Sequence, residues 1–132
     1  EQYLTKRLKD VLEKDVDKKF YLSDKLINFF IENTKNNKEK GNGFAFKPKN
    51  ENDLCSSVTT KAGSRMDDNY LKVKSATKKG YNIRRLTPRE CFRLMDFPDT
   101  FKMPCSNSQM YKQAGNSIVV NVLAEIINRL NL

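Results

Sequence analysis

Residues 84–99 read RRLTPRECFRLMDFPD and contain the clearest helix start in the chain. Thr87 stands at an N-cap position, Pro88 at the first helical position and Glu90 at the third. The Thr hydroxyl and the Glu carboxylate can each accept a hydrogen bond from a backbone amide that has no partner at the helix start. The sequence therefore predicts a helix over residues 88–95 that begins with a capping box.

Two more helices are predicted on the C-terminal side of this stretch. Residues 106–109 read SNSQ and repeat the capping pattern, which predicts a short helix to about Ala114. After Gly115-Asn116, a final amphipathic helix is predicted from Ser117 to about Leu130. Its apolar residues recur at helical spacing and form one face, made of Ile118, Val119, Val122, Leu123, Ile126, Ile127 and Leu130.

On the N-terminal side the hydrophobic period changes along the chain. Residues 3–12 and 22–33 place apolar residues at helical spacing, with Ser23 as a predicted N-cap, and residues 34–42 form a polar predicted loop. Beyond that loop the apolar residues alternate with polar ones, which predicts short strands joined by basic loops around Phe44, Phe46, Val58, Tyr70–Val73 and Ile83–Leu86. This mixture indicates an α+β fold.

Charge and composition narrow the function without deciding it. The 132 residues carry a net charge of +9, of which residues 41–86 contribute +6. A basic segment favours a polyanionic partner such as nucleic acid, but surplus lysine is also common on any solvated face. No apolar run approaches the length of a membrane span. We therefore expect a cytoplasmic protein with no membrane partner.

Several kinds of catalytic site are excluded by residue type. The chain has no histidine and therefore no Ser-His or Cys-His pair, and its five glycines form no phosphate-binding loop. Three cysteines without Cys-x-x-Cys spacing favour neither a zinc site nor a disulfide framework, which fits a reducing compartment. Taken alone, the sequence is typical of a binding module.

Two sequence blocks resemble those of the DNA (cytosine-5) methyltransferases. Residues 84–99 are similar to the ninth block of that family, roughly R-x-L-T-P-R-E-C-x-R-L-x-G-F-P-D, except that Asp96 stands where the family has Gly. Asp96 is therefore expected either to adopt a left-handed or turn conformation, which Asp tolerates, or to mark a locally different turn. Residues 109–122 resemble the tenth block, Q-x-Y-K-Q-x-G-N-S-V-x-x-x-V. The resemblance is weaker over residues 44–83, where residues 58–63 are similar to the stretch that enters the base-reading loop.

The resemblance implies a division of labour along the chain. Residues 1–86 would form a small recognition domain of short, mostly antiparallel strands with flanking helices. Residues 87–132 would be C-terminal helices that pack on an absent α/β catalytic domain. The family's Pro-Cys-Gln nucleophile and Glu-Asn-Val acid do not occur here. Cys105 follows Pro104 in a different context and is expected to be a structural or surface cysteine. We expect no catalytic residue in the chain.

The expected function is that of a C-terminal fragment or recognition subunit of a DNA (cytosine-5) methyltransferase. It would bind duplex DNA, help to complete the S-adenosylmethionine pocket, and act with an N-terminal catalytic half or a separate catalytic subunit. Two alternatives stay open: an inactive DNA-binding module without a catalytic partner, and an unrelated basic interaction domain. An uncovered apolar face on the last helix would favour the methyltransferase over the inactive module.

The resemblance also predicts site residues. Asn116, Ser117 and Ile118 would line the cofactor pocket, although a plain helix cap explains them as well. DNA contacts are predicted at Thr59, Thr60, Lys61, Gly63, Ser64 and Arg65, with Arg84 and Arg85 as phosphate contacts. Arg65 is the predicted base-reading residue, with a solvated arginine as the alternative. Arg89, Glu90 and Arg93 lie one turn apart and favour a structural ion-pair set over DNA contact.

Overall fold

The computed structural model describes residues 4–131. A long helix, α1 (Asp24–Glu39), precedes an antiparallel hairpin of β1 (Tyr70–Lys74) and β2 (Tyr81–Arg85), in which Tyr70 lies opposite Arg85. Three helices follow the hairpin, which confirms the predicted α+β class; they are α2 (Pro88–Leu94), α3 (Asn107–Asn116) and α4 (Val120–Arg129). Two short 3-10 turns, Leu8–Asp10 and Lys18–Phe20, precede α1.

The predicted starts of α1, α2 and α3 are confirmed. Thr87 accepts a hydrogen bond from the Glu90 amide at 3.2 Å, and the Glu90 carboxylate accepts one from the Thr87 amide at 2.8 Å. Ser106 and Ser23 cap α3 and α1 by accepting bonds from backbone amides in the first turn. Asp96 has a φ of 62°, so it adopts the left-handed conformation expected from the glycine of the family pattern.

The helix predicted over residues 3–12 is wrong for the described residues, 4–12, where only the 3-10 turn Leu8–Asp10 forms. The Leu8 amide donates to the carbonyl of Asp53 at 3.1 Å, and the Lys9 amide donates to that of Glu51 at 2.7 Å. These two amides therefore bond to a segment more than 40 residues away in the chain. In a helix they would have bonded to carbonyl groups of the preceding turn.

The loop predicted at residues 34–42 is also wrong for most of its length, because α1 continues to Glu39. Its polar side chains bond to the segment that follows the helix. The Thr34 hydroxyl donates to the Phe30 carbonyl at 2.8 Å and accepts from the Phe46 amide at 2.9 Å. The polar residues of this stretch therefore form a solvated helix face, and their side chains bond to the segment that follows the helix.

Of the predicted strands, only the two in the hairpin form. The residues around Phe44, Phe46 and Val58 are irregular. A side chain replaces the missing strand ladder near residue 56: Asn69 accepts from the Ser56 amide at 2.9 Å and donates to the Ser56 carbonyl at 3.0 Å. Single bridges pair Lys49 with Leu71 and Tyr21 with Arg84.

The core joins the two halves of the chain. The larger cluster combines residues from the N-terminal turns, the hairpin, α2 and α3, namely Leu8, Val11, Phe20, Leu71, Leu86, Cys91, Phe92, Met110, Tyr111 and Ala114. A smaller cluster contains Phe30, Tyr70 and Ile83. The larger cluster contains residues from both sides of the predicted boundary between residues 86 and 87. The division of the chain into two domains remains a prediction. None of the described helices is long and apolar enough to cross a membrane.

Candidate nucleic-acid interface

Residues 59–65, here called the recognition loop, are held in one conformation by a carboxylate. Asp68 accepts hydrogen bonds from the Thr59 hydroxyl at 3.3 Å, the Ser64 amide at 3.2 Å and the Arg65 amide at 2.9 Å. The Ser64 hydroxyl donates to the Lys61 carbonyl at 2.6 Å. The loop therefore brings together six of the eight predicted DNA contacts on a preformed turn.

Gly63 sits where the recognition loop passes over Arg85. Its φ of 77° lies in the left-handed region, and a Cβ at this position would come within 2.5 Å of the Arg85 Cδ. Both facts favour glycine. The Arg85 guanidinium carbon lies 5.4 Å from the ring centre of Phe20 and 5.9 Å from that of Tyr111. Arg85 is thus packed beneath the loop between aromatic rings, and its role as a phosphate contact remains a prediction.

The structure corrects the prediction for Arg84. Its side chain is only 3% exposed and forms a bidentate ion pair with Glu90, with bonds of 2.7 and 2.9 Å. Burial alone would lower the pKa of Arg84, but hydrogen bonding to Glu90 and the charge of that carboxylate outweigh it and raise the pKa. A guanidinium buried against a carboxylate is not available to a phosphate group. Arg84 therefore has a structural role.

Glu90 is the centre of this buried pair. In addition to Arg84, its carboxylate accepts from the Thr87 amide at 2.8 Å and from the Glu13 amide at 3.0 Å. The Thr87 hydroxyl donates back to the Glu13 carboxylate at 2.6 Å. These bonds join β2, α2 and the N-terminal segment at a single carboxylate.

The predicted structural role of the charged residues on α2 agrees with their contacts, although their partners lie elsewhere in the chain. Arg93 forms a bidentate pair with Asp99, with bonds of 2.9 and 2.7 Å. That pairing lowers the pKa of Asp99. Arg89 donates to the Phe101 carbonyl at 3.0 Å. The charges of α2 therefore hold the loop that follows it.

Arg65 differs from these arginines because its side chain is 52% exposed. Its Nε and Nη2 donate to the two carboxylate oxygens of Asp67 at 3.1 and 3.0 Å. Its guanidinium carbon lies 5.5 Å from the ring centre of Phe44. The predicted base-reading residue is therefore accessible and held in place.

The recognition loop also touches α3. Gly115 lies inside that helix, and a Cβ there would overlap the backbone nitrogen of Thr60 and the carbonyl carbon of Thr59. Only a residue without a side chain lets the loop backbone approach the helix this closely. The sequence motif around Gly115 thus positions the loop as well as ending a helix.

The three predicted cofactor residues occupy the connection between α3 and α4. Asn116 is the last residue of α3 and is exposed. Ser117 is its C-cap, with a hydroxyl that donates to the Ala114 carbonyl at 2.7 Å. Ile118 is 49% exposed. The final helix therefore begins at Val120, later than predicted, because Ser117 completes the preceding helix.

The face of α4 is uncovered. None of its residues is buried. Of the seven apolar residues predicted for this face, Val119 is half-buried and the other six are between 40% and 60% exposed; these six are Ile118, Val122, Leu123, Ile126, Ile127 and Leu130. A cluster of exposed large apolar side chains usually marks a surface that contacts another molecule or another part of the protein. This is the feature expected of a helix that packs on another part of an enzyme.

Sequence reasoning missed the residues that hold the recognition loop. Asp67, Asp68 and Asn69 follow the loop directly, and short Asx side chains that bond to nearby amides are a recognisable turn signal. That signal could have indicated Asp68. The bond between Thr87 and Glu13 joins residues 74 positions apart, and nothing local in the sequence indicates it.

Comparison with known proteins supports the resemblance. The model for C-5 cytosine-specific DNA methylases matches residues 1–131. The chain is 38% identical over 129 residues to the type II methyltransferase M.DsaV of Dactylococcopsis salina, covering 96% of this chain and 35% of that protein. It is 39% identical over 124 residues to M.SsoII of Shigella sonnei, covering 94% of this chain and 32% of that protein. The chain thus spans about a third of these relatives.

A solved structure has the same fold. The crystal structure of the S. pombe Dnmt2 methyltransferase superposes with a TM-score of 0.73 at 22% identity. The match covers 99% of this chain and 44% of that one. At this level of identity the similarity concerns the fold alone.

Proposed function

Because the chain belongs to the C-5 cytosine-specific DNA methylase family, we propose that it is the recognition and C-terminal part of a DNA (cytosine-5) methyltransferase. In this proposal the chain binds duplex DNA and helps to complete the S-adenosylmethionine pocket. It has no methyl-transfer activity by itself, because the nucleophile and the acid of the family do not occur in its sequence. The cytoplasmic location remains a prediction.

The uncovered face of α4 is the observation that carries the proposal. Six large apolar side chains share that face at the end of a chain that spans about a third of its relatives. We propose that the catalytic part of the enzyme covers it. Burying apolar surface contributes about 25 cal/mol per Å², so covering such a face would make a substantial contribution to assembly. An inactive DNA-binding module would have no partner for this surface.

DNA binding is proposed at the recognition loop and Arg85. Exposed Thr60 can contact phosphate through its hydroxyl, and Lys61 is an exposed cation. Thr59 and Ser64 would have to exchange their bonds to Asp68 and to the Lys61 carbonyl for a bond to phosphate. Gly63 lets the loop lie against Arg85. The net charge of +6 over residues 41–86 would draw the loop towards duplex DNA.

Cofactor contact is proposed for Asn116, Ser117 and Ile118. Exposed Asn116 offers both an amide donor and a carbonyl acceptor, and Ile118 offers an apolar surface beside it. The Ser117 hydroxyl already donates to the Ala114 carbonyl, so its oxygen would act as an acceptor. The polar groups of Asn116 and Ser117 fit a charged amino-acid end, and Ile118 fits the apolar face of an adenine ring. When bound, S-adenosylmethionine supplies the methyl group.

The first test is a methyl-transfer assay with labelled S-adenosylmethionine and mixed-sequence duplex DNA. The chain is assayed alone and with the catalytic part of the enzyme supplied on the same or a separate polypeptide. We expect activity only with the catalytic part. Activity of the chain alone would contradict the absence of catalytic residues. No activity in either case would favour the inactive DNA-binding module.

DNA binding is tested by its dependence on salt and on single residues. We expect weak binding of duplex DNA that falls steeply as salt rises, because contacts to phosphate release counterions. Lys61→Ala should weaken binding to all sequences alike, whereas Arg65→Ala should relax the preference among sequences. Binding that ignores salt, or the reverse effects of the two variants, would contradict these roles.

A further inference from the structure

Both the backbone and the side chain of Arg65 make contacts that restrain them, although the residue is exposed in a loop. Its backbone amide donates to Asp68 at 2.9 Å, and its carbonyl accepts from the hydroxyl of Tyr70 at 2.7 Å. Tyr70 is 1% exposed and belongs to the smaller core cluster. The backbone of Arg65 is therefore fixed to the core of the protein.

Its side chain is restrained by two further groups. Asp67 accepts one hydrogen bond from Nε and one from Nη2, and the guanidinium lies over the ring of Phe44. The backbone of Phe44 is restrained, because its carbonyl accepts from the side-chain amide of Asn37 on α1 at 3.1 Å, while Phe44 itself is 51% exposed. A flexible arginine that only attracted phosphate would not need a carboxylate on one edge and a ring on one face.

These contacts leave one edge of the guanidinium open. A guanidinium has five N–H groups, and Asp67 uses two of them. Of the three that remain, one on Nη1 and one on Nη2 point the same way. Two parallel donors match the O6 and N7 acceptors that guanine presents in the major groove.

We propose that Asp67 and Phe44 are positioning residues that hold Arg65 with its terminal edge towards the DNA, and that the base it reads is guanine. The proposal rests on the proposed function and names a specificity device within it. Fixing the guanidinium before binding removes the rotamer entropy that a free side chain would lose on contact with the base.

The test uses the complete methyltransferase and a pool of duplexes with a randomised core. The unsubstituted enzyme first selects its preferred site from the pool. Arg65→Ala should remove the preference at one base pair, which must be G·C, by about tenfold or more. Asp67→Asn should lower the same preference by about threefold or more and leave the other positions unchanged.

A matched control separates positioning from charge. Asp24→Asn makes the same change in net charge at an exposed carboxylate that pairs with Lys79 at 2.6 Å, far along the chain from Arg65. It should raise affinity for all sequences slightly and leave the preference intact. Phe44→Leu keeps an apolar side chain but removes the ring, and should weaken the preference without loss of thermal stability. In the Arg65→Ala background, Asp67→Asn should have no further effect on the preference.

The outcomes distinguish the two levels of the argument. An enzyme that discriminates among sites and keeps its full preference in Asp67→Asn overturns the positioning roles while leaving the proposed function in place. A preference removed by Arg65→Ala at an A·T pair overturns the assignment of guanine. An unsubstituted enzyme that selects no site overturns both the proposed function and the positioning roles.

Discussion

The sharpest prediction concerns the buried pair of Arg84 and Glu90. Glu90→Gln keeps the shape of the side chain but removes its charge, so the Arg84 guanidinium, at 3% exposure, would have no counter-ion. The carboxylate now accepts four bonds, two from Arg84 and one each from the amides of Thr87 and Glu13. A glutamine has a single acceptor oxygen and would turn an amide group towards some of these donors.

The expected loss of stability is about 3–5 kcal/mol, the cost of removing one partner from a buried ion pair. That is a large part of the roughly 5–15 kcal/mol that stabilises a typical domain. Equilibrium urea unfolding followed by far-ultraviolet circular dichroism measures it. Glu125→Gln is the matched control, because Glu125 pairs with Arg129 four residues along an exposed helix. There we expect only a few tenths of a kcal/mol.

A change of less than about 1 kcal/mol in Glu90→Gln would refute this reasoning. It would mean that water reaches the pair, or that the N-terminal segment moves to supply another acceptor. An equal loss in Glu125→Gln would show instead that any Glu to Gln exchange in this chain is destabilising.

Three further outcomes follow from the packing. Gly115→Ala should lower the free energy of unfolding by about 1–3 kcal/mol and weaken DNA binding, because its Cβ would displace the recognition loop. Gly43→Ala, where an added Cβ would meet nothing within 4 Å, should have neither effect. Urea unfolding and DNA titration compare the two variants. In thiol labelling at neutral pH, exposed Cys105 should react first and buried Cys91 only on unfolding; equal rates would contradict the packing. Burial raises the pKa of Cys55 from 9.0 to about 11, so stability should be full below pH 9 and fall as the pH rises towards 11. Burial also raises the pKa of Cys91, Tyr70 and Tyr111, so Cys55→Ser should remove only part of that fall in the urea midpoint.

The starts of α1, α2 and α3 were predictable because the hydrogen bonds that cap them are local. Thr87, Pro88 and Glu90 lie within four residues, and the hydrogen bonds that they make are those that define the start of a helix. The helix prediction was wrong at residues 4–12 because the amides of Leu8 and Lys9 bond to the carbonyls of residues 53 and 51. No spacing rule within the segment contains that information.

The candidate site was predicted unevenly for a similar reason. Arg84 and Arg85 were treated as equivalent charges, but neighbouring residues in a strand point to opposite faces. Arg84 turns inward to Glu90, and Arg85 turns towards the recognition loop and its aromatic neighbours. The number of charges in a segment does not show which of two neighbouring arginines is buried, because that depends on the face of the strand each occupies.

The two sequence blocks that resemble the family contain residues whose role in this structure is to hold other segments. Under the proposed function, these contacts would keep the DNA-binding loop at a fixed position relative to the catalytic part. The buried pair fixes β2 to α2, and Gly115 of α3 receives the backbone of the recognition loop at Thr60. The loop therefore contacts α3 directly, and it packs at Gly63 against Arg85 of β2, the strand that the buried pair fixes to α2. Under the proposed function, with α4 docked on the catalytic part, these packed elements would set the position of Arg65 relative to the reacting cytosine. A loop free to move would lose that register, since a misplacement of about 1 Å can cost a hundredfold in rate.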